Sequence, residues 1–211
     1  MICPKTTKWM ISGHHFSRAC NFLHECRTYA YHIRPANMRK LLLAATNFRD
    51  RCLIKTLWWL GVRRSELIQL DVRDLDVERK RVTVQDGKGG KTRVIPIIDD
   101  EYLSDLIILI GNRKTGPIFL SNRNRKMPPR SVNHIIETIG VRAGVTNPNP
   151  RLTHLNPHLF RHSIARFLKS KGFSAEWIQN FLGHESYKTT MDMYGTLSID
   201  EMQAIAARLL D

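Results

Sequence analysis

The sequence predicts a mainly α fold with one small antiparallel β-sheet, an α+β domain, and three observations carry that prediction. Apolar residues recur at helical spacing over most of the chain, in blocks near residues 36–60, 102–110, 131–143 and 158–182 and again at the C-terminus. Two β-rich runs, Arg81–Gln85 and Thr92–Ile97, flank Asp86-Gly87-Lys88-Gly89-Gly90-Lys91 and read as a hairpin with Lys88 at its tip. The length, 211 residues, suits one sizeable core, or one domain plus a short arm.

Taken in order, residues 1–35 are Lys-rich and then His- and Cys-rich, and are expected to be an N-terminal arm or the remnant of a preceding domain. Cys20 and His24 lie four apart, as a zinc pair could, but neither a CxxC pair nor an HxxxH completes a ligand set, so no metal site is expected. Residues 36–60 read as two core helices broken near Thr46-Asn47. Gly61 stops the second, and Arg63–Leu70 begins another, in which Arg63 and Glu66 are three apart and read first as a surface salt bridge. Val72–Val77 is short and alternating. The hairpin follows; its Gly-Lys-Gly is not a P-loop, because it joins two strands and lacks the upstream glycine and the Ser or Thr after lysine. A basic hairpin carrying Lys88, Lys91 and Arg93 suits a nucleic-acid groove. Tyr102–Ile110 and Ser131–Ala143 read as helices, joined by a polar connection with three prolines and six basic residues. A Pro- and Asn-rich loop at 147–155 leads to a helix over 158–170. Ser174 caps the next helix, which Gly183 ends. Ser198-Ile199-Asp200-Glu201 fits a capping box, and Ile199, Met202, Ile205, Ala206 and Leu209 give a terminal helix over 198–210 one apolar stripe. That helix suits packing on its own core or on a neighbouring subunit.

Charge narrows the partner. Lys and Arg number 33 against 19 Asp and Glu, a formal net charge of +14. A folded body this basic calls for a polyanion, nucleic acid first, because each Lys or Arg laid on a phosphate releases condensed counterions. No apolar run approaches the roughly twenty residues that cross a bilayer, so no membrane partner and a cytoplasmic location are expected. The four cysteines, Cys3, Cys20, Cys26 and Cys52, are too few for a disulfide frame and are expected to be reduced.

The chemistry concentrates in the last quarter. Asn156 can cap a helix that Pro157 opens, which sets His158 in the first turn, where free N–H groups and the helix dipole favour an anion. Arg161 shares that face, and together they suit a phosphate clamp. His184 and Tyr194 follow. Two arginines, a hairpin lysine, two histidines and a tyrosine, with no carboxylate cluster for magnesium, suit metal-free phosphoryl transfer to tyrosine. That reaction needs cationic donors around the non-bridging oxygens and an acid for the departing alkoxide. Tyr187 is a weaker rival nucleophile.

In that order, Gly61-Val62-Arg63-Arg64-Ser65-Glu66-Leu67, Gly87-Lys88-Gly89, His158-Leu159-Phe160-Arg161-His162, Leu182-Gly183-His184 and Tyr194 resemble the boxes of the tyrosine recombinases, the phage-integrase and Xer-type family. The resemblance spans residues 36–211 and implies that family's catalytic-domain fold. It also implies site-specific recombination of double-stranded DNA without cofactor, metal or ATP. Arg63 and Arg161 would grip the scissile phosphate, Lys88 would protonate the leaving 5′-oxygen, and His158 would act as acid and base around the tyrosine. His184 would donate to the phosphate, Tyr194 would attack to leave a 3′-phosphotyrosine, and Glu66 would orient the arginine and histidine. Assembly on DNA as a tetramer of two pairs, through the C-terminal helix, is implied too. The step from His184 to Tyr194 is one residue longer than in many Xer-type members. Residues 1–35 are also too short for the helical core-binding domain that such enzymes carry in front. A type IB topoisomerase-like relaxase and a non-catalytic DNA-binding remnant regulating a full-length recombinase are the competing readings.

Overall fold

The structure is a computed structural model that describes residues 31–85 and 92–183. Its described elements are α1 (Pro35–Ala44), α2 (Phe48–Leu60), α3 (Arg64–Gln69), a 3₁₀ turn (Val72–Asp74), β1 (Leu75–Asp76), β2 (Arg81–Gln85), β3 (Thr92–Pro96), α4 (Asp100–Ile110), α5 (Pro129–Ala143), α6 (Pro157–Ser170) and α7 (Ala175–Leu182). The predicted class is the observed one: helices around one three-stranded antiparallel sheet in the order β1-β2-β3.

Helix α2 is the axis of the core. The Asn47 side chain accepts from the Arg49 N–H at 2.9 Å and caps its start. From Cys52 to Trp58 every residue is buried, so the helix is enclosed on all sides, by α4 and α6 among others. Two polar side chains inside it find partners on α4. Lys55 Nζ donates to Glu101 at 2.5 Å and Asp105 at 2.6 Å, and the Tyr102 hydroxyl donates to Thr56 Oγ1 at 2.9 Å. Burying Lys55 unpaired would cost several kcal/mol; paired, it fixes how α2 and α4 lie against each other.

Pairing in the hairpin runs from Arg81 opposite Pro96 to Gln85 opposite Thr92. Along β2, Val82 and Val84 are buried and their neighbours are not, as two-residue alternation requires. The stretch 72–77 departs from a simple alternating strand. Asp71 accepts from the Arg73 N–H at 3.1 Å and Asp74 accepts from the Asp71 N–H at 2.8 Å, which winds the chain into a 3₁₀ turn and leaves two residues to pair with β2. The polar connection at 113–130 is held by Arg113, whose guanidinium donates to the carbonyls of Leu109, Ile110, Pro117 and Ile118.

The chain joins the core slightly ahead of residue 36. Ile33 is buried, and its N–H donates to Ser163 Oγ on α6 at 2.7 Å. Residues 1–30, with Cys20 and His24, residues 86–91, with Lys88 and Lys91, and residues 184–211, with His184, Tyr187, Tyr194 and the terminal helix, lie outside the described residues. Among the described residues no helix is long and apolar enough to cross a membrane.

Gly61 sets the geometry at the end of α2. Its φ of 55° is left-handed, and a Cβ there would stand 2.8 Å from Leu182 Cδ2 and 2.9 Å from Ile164 Cγ2. Gly61→Ala is expected to cost about 2 kcal/mol or more, from backbone strain plus overpacking. The midpoint of urea unfolding should fall while the slope stays as in the wild type.

Candidate active site

The site forms where α2 ends, α3 begins and α6 starts. Asn156 caps α6, its side chain accepting from the Leu159 N–H at 3.0 Å, and Pro157 occupies the first turn as predicted. This sets His158 at the surface and turns Arg161, one helical turn on, into the interior, where it is 3% exposed. A guanidinium that deep must be matched by acceptors. Arg161 Nη1 donates to the Gly61 carbonyl at 2.7 Å, and Nη2 donates to the Leu182 carbonyl. These are the C-terminal carbonyls of α2 and α7, the negative ends of two helix dipoles. Such acceptors orient the side chain and leave its formal charge intact.

The second arginine, Arg63, is the residue just before α3. Glu66 Oε2 accepts from the Arg63 backbone N–H at 2.7 Å, and Glu66 Oε1 accepts from Arg63 Nη1 at 2.9 Å. The pair read as a surface salt bridge is therefore something else. Glu66 is 2% exposed, and it is also gripped from β3: Arg93 Nη1 donates to Oε1 at 2.9 Å and Arg93 Nη2 to Oε2 at 2.8 Å. Arg161 Nη1 lies 4.0 Å from the same carboxylate. The resemblance implies that Glu66 orients an arginine; the grip of Arg93 is not legible in the sequence, because Arg93 is far from Glu66 along the chain.

Arg93 differs from its expected place. The sequence groups it with Lys88 and Lys91 as a DNA-facing residue of the hairpin, yet its side chain is 11% exposed and turned onto Glu66. The signal was in the alternation: Arg93 shares the strand face of Ile95 and Ile97, both buried.

Electrostatics follow from the packing. Burial alone would raise the pKa of Glu66, but the hydrogen bonds and charge of Arg93, the Arg63 N–H and the charge of Arg161 outweigh it and hold the carboxyl down at about 2. Three guanidiniums around one carboxylate leave the pocket strongly positive. His158 feels this. Partial shielding from water, then the charges of Arg161, Arg63 and Arg64, lower its pKa from 6.5, which favours the neutral imidazole at pH 7. His162 is lowered likewise, by burial, His158 and Arg161.

Of the predicted site residues within the described segments, Arg63, Glu66 and Arg161 are therefore brought together at one carboxylate, with His158 close enough to feel both arginines. A larger cavity, about 620 Å³, lies elsewhere, between the α1–α2 turn and α5 with Asn47, Arg49, Met127, His134 and Arg142 on its walls. It contains none of the motif residues.

An anchored, oriented cluster of positive charge beside an imidazole at a helix start is an arrangement able to receive an anion such as a phosphoryl group. Comparison with known proteins is specific. The model of the phage integrase family matches residues 32–199, and the chain belongs to that family. It is 32% identical over 158 residues to the tyrosine recombinase XerA of Pyrococcus horikoshii, a match that covers 72% of this chain and 52% of the relative. It is 30% identical over 162 residues to the type 1 fimbriae regulatory protein FimE of Escherichia coli K12, covering 74% of this chain and 79% of that one. Among solved structures, the crystal structure of XerA recombinase superposes with a TM-score of 0.71 at 24% identity, over 85% of this chain and 65% of that one. The Tn1549 transposon integrase, solved in complex with transposon right-end DNA, gives 0.67 at 20% identity over 85% and 66%. These likenesses bear on the fold. The chain spans about half the length of the XerA relative it matches.

The Glu66 cluster carries a pH dependence. A carboxyl lowered on folding from 4.5 to about 2 contributes stability that is fully present above pH 4.5 and is lost as pH falls through 2, about 3 kcal/mol in all. In Glu66→Gln this part of the acid dependence should vanish, so unfolding free energies measured between pH 5 and 2.5 should fall less steeply with acid than in the wild type.

Proposed function

We propose that this chain carries the strand-cleaving and strand-joining activity of a site-specific tyrosine recombinase acting on double-stranded DNA. The observation that carries the reading is the convergence of Arg63 and Arg161 on one buried carboxylate beside His158. Two permanently charged forks, held in place before substrate arrives, are what a phosphodiester needs as it gains charge in a pentacoordinate transition state. Family membership and the names of the relatives support the same reading, and relatives named as recombinases favour it over a topoisomerase-like relaxase. A neighbour of this fold, XerH, is described bound to difH substrate in a pre-cleavage complex, which supports DNA as the partner.

The proposed reaction is balanced without a nucleotide or a metal. The Tyr194 oxygen attacks phosphorus as its proton leaves towards His158. The bond from phosphorus to the 5′-oxygen breaks, and Lys88 gives that oxygen a proton. A 3′-phosphotyrosine and a free 5′-hydroxyl result. Arg63, Arg161 and His184 hold the non-bridging oxygens. Because one ester replaces another, bond energy is kept, and attack by a 5′-hydroxyl of a second strand releases the tyrosine in recombined DNA. Lys88 and Lys91 in the hairpin supply contacts to the duplex. Residues 36–211 act as the catalytic domain, and the apolar stripe of 198–210 docks on a neighbouring subunit, building a tetramer of two pairs on DNA. The site of action is the cytoplasm, at the nucleoid.

Incubation with nicked duplexes, followed by denaturing electrophoresis, tests the chemistry. The wild type should form a covalent protein–DNA adduct and Tyr194→Phe none; an adduct that survives Tyr194→Phe and disappears in Tyr187→Phe moves the nucleophile. Arg161→Ala should slow adduct formation about a hundredfold or more, as loss of a fixed transition-state donor does. Deletion of 198–211 should weaken assembly on DNA in gel-shift titrations and leave the thermal unfolding transition in place; loss of that transition makes the segment part of its own core.

A further inference from the structure

We infer that Arg93 is a positioning residue of this site: by clamping Glu66 and the end of α7 together, it fixes the catalytic arginines in their working orientation. The inference rests on the strand-transfer reading above and adds to it a residue that touches no substrate.

The hydrogen bonds make the case. Each oxygen of Glu66 accepts two of them, Oε1 from Arg63 Nη1 and Arg93 Nη1, Oε2 from the Arg63 N–H and Arg93 Nη2. The carboxylate is saturated and cannot rotate without breaking a bond to one arginine or the other. Charge balance alone does not ask for this, since Arg63 already pairs with Glu66. The planar fork adds orientation, which a lysine ammonium could not supply in the same way.

The remaining edge of the guanidinium works on α7. Arg93 Nε donates to the Phe181 carbonyl at 3.3 Å, and the next carbonyl, Leu182, is the one that accepts from Arg161. Two successive carbonyls at one helix end are thus held by two arginines, one positioning and one catalytic. Gly183 makes room for the stem. Its φ is 66°, and a Cβ there would stand 2.7 Å from Arg93 Cδ and 3.2 Å from Nε. In the sequence His184 follows Gly183 directly and Arg93 comes five residues after Lys88. One side chain therefore ties β3 to Glu66, which holds Arg63, and to the end of α7, which holds Arg161.

The test compares Arg93→Met and Arg93→Lys with the wild type in three measurements: duplex affinity, the single-turnover adduct rate at saturating protein, and the carboxyl ¹³C titration of Glu66, assigned with Glu66→Gln. For Arg93→Met the rate should fall about 10- to 100-fold while affinity stays within about threefold of wild type, the pattern of a lost orienting contact and not of a lost phosphate contact. The Glu66 midpoint, about 2 in the wild type, should rise by more than about one pH unit. Arg93→Lys should keep the charge but recover only part of the rate. Weakened affinity with an unchanged rate makes Arg93 a DNA contact and overturns the inference. So does a slower rate with the Glu66 titration unmoved, the mark of a merely structural role. If Arg93→Met does not fold, Arg93→Lys carries the three readouts. Absence of adduct in the wild type sinks the strand-transfer reading instead, and the Glu66 titration still decides whether Arg93 holds the carboxylate.

Discussion

A buried carboxylate in a protein with a large excess of positive charge is the constraint on which this site depends. Glu66 is out of water, so it must be charged and fully hydrogen-bonded or else neutral. The arginines around it decide the matter in favour of charge. In return, the carboxylate brings guanidiniums close together that would otherwise repel one another, and it does so before any ligand is present. Removing one member of such a set costs more than the hydrogen bonds lost, because the remaining charges stay buried without compensation.

Arg161 shows a second way of holding a charge. Its partners are carbonyls at the ends of α2 and α7, which direct the fork through helix dipoles without cancelling it. Those carbonyls are in place only because both helices stop abruptly in left-handed glycines, Gly61 and Gly183. The stops in turn are set by packing, since α2 is enclosed and α6 and α7 rest against each other. The direction of this buried guanidinium is thus set from the core. His158 sits on the exposed side of the same helix start, and its lowered pKa reflects partial shielding from water first and then the charge beneath it.

Much of the fold was legible from local chemistry. Asn156 and Ser174 cap helices where the sequence places them, and the period of two around the glycine-rich turn marks the strands of the hairpin. What stayed hidden were relations between distant residues. Lys55 lies in an apolar run and looks out of place until Glu101 and Asp105 of α4 are set beside it. Glu66 shows the same limit more sharply. Arg63 is its neighbour in sequence, whereas Arg93 lies 27 residues away and reaches it across the sheet. The basic character of the hairpin suggests a DNA-facing Arg93, whereas its alternation with Ile95 and Ile97 argues for the inner face. Residues 72–77 resisted assignment because Asp71 and Asp74 bond to nearby backbone and compete with strand pairing.

Membership of the phage integrase family places these arrangements in a setting where relatives differ in length. This chain covers 79% of FimE but only 52% of XerA from Pyrococcus horikoshii. The Glu66 cluster lies inside residues 32–199, which the family model matches. A double-mutant cycle between Glu66→Gln and Arg93→Met, measured as unfolding free energy at pH 7, tests the central claim most directly. The account predicts that the double variant loses less stability than its two single variants together by about 1 kcal/mol or more, the coupling expected of groups in one buried network. Strict additivity would contradict it, because the carboxylate and the arginine would then be stabilising the fold independently.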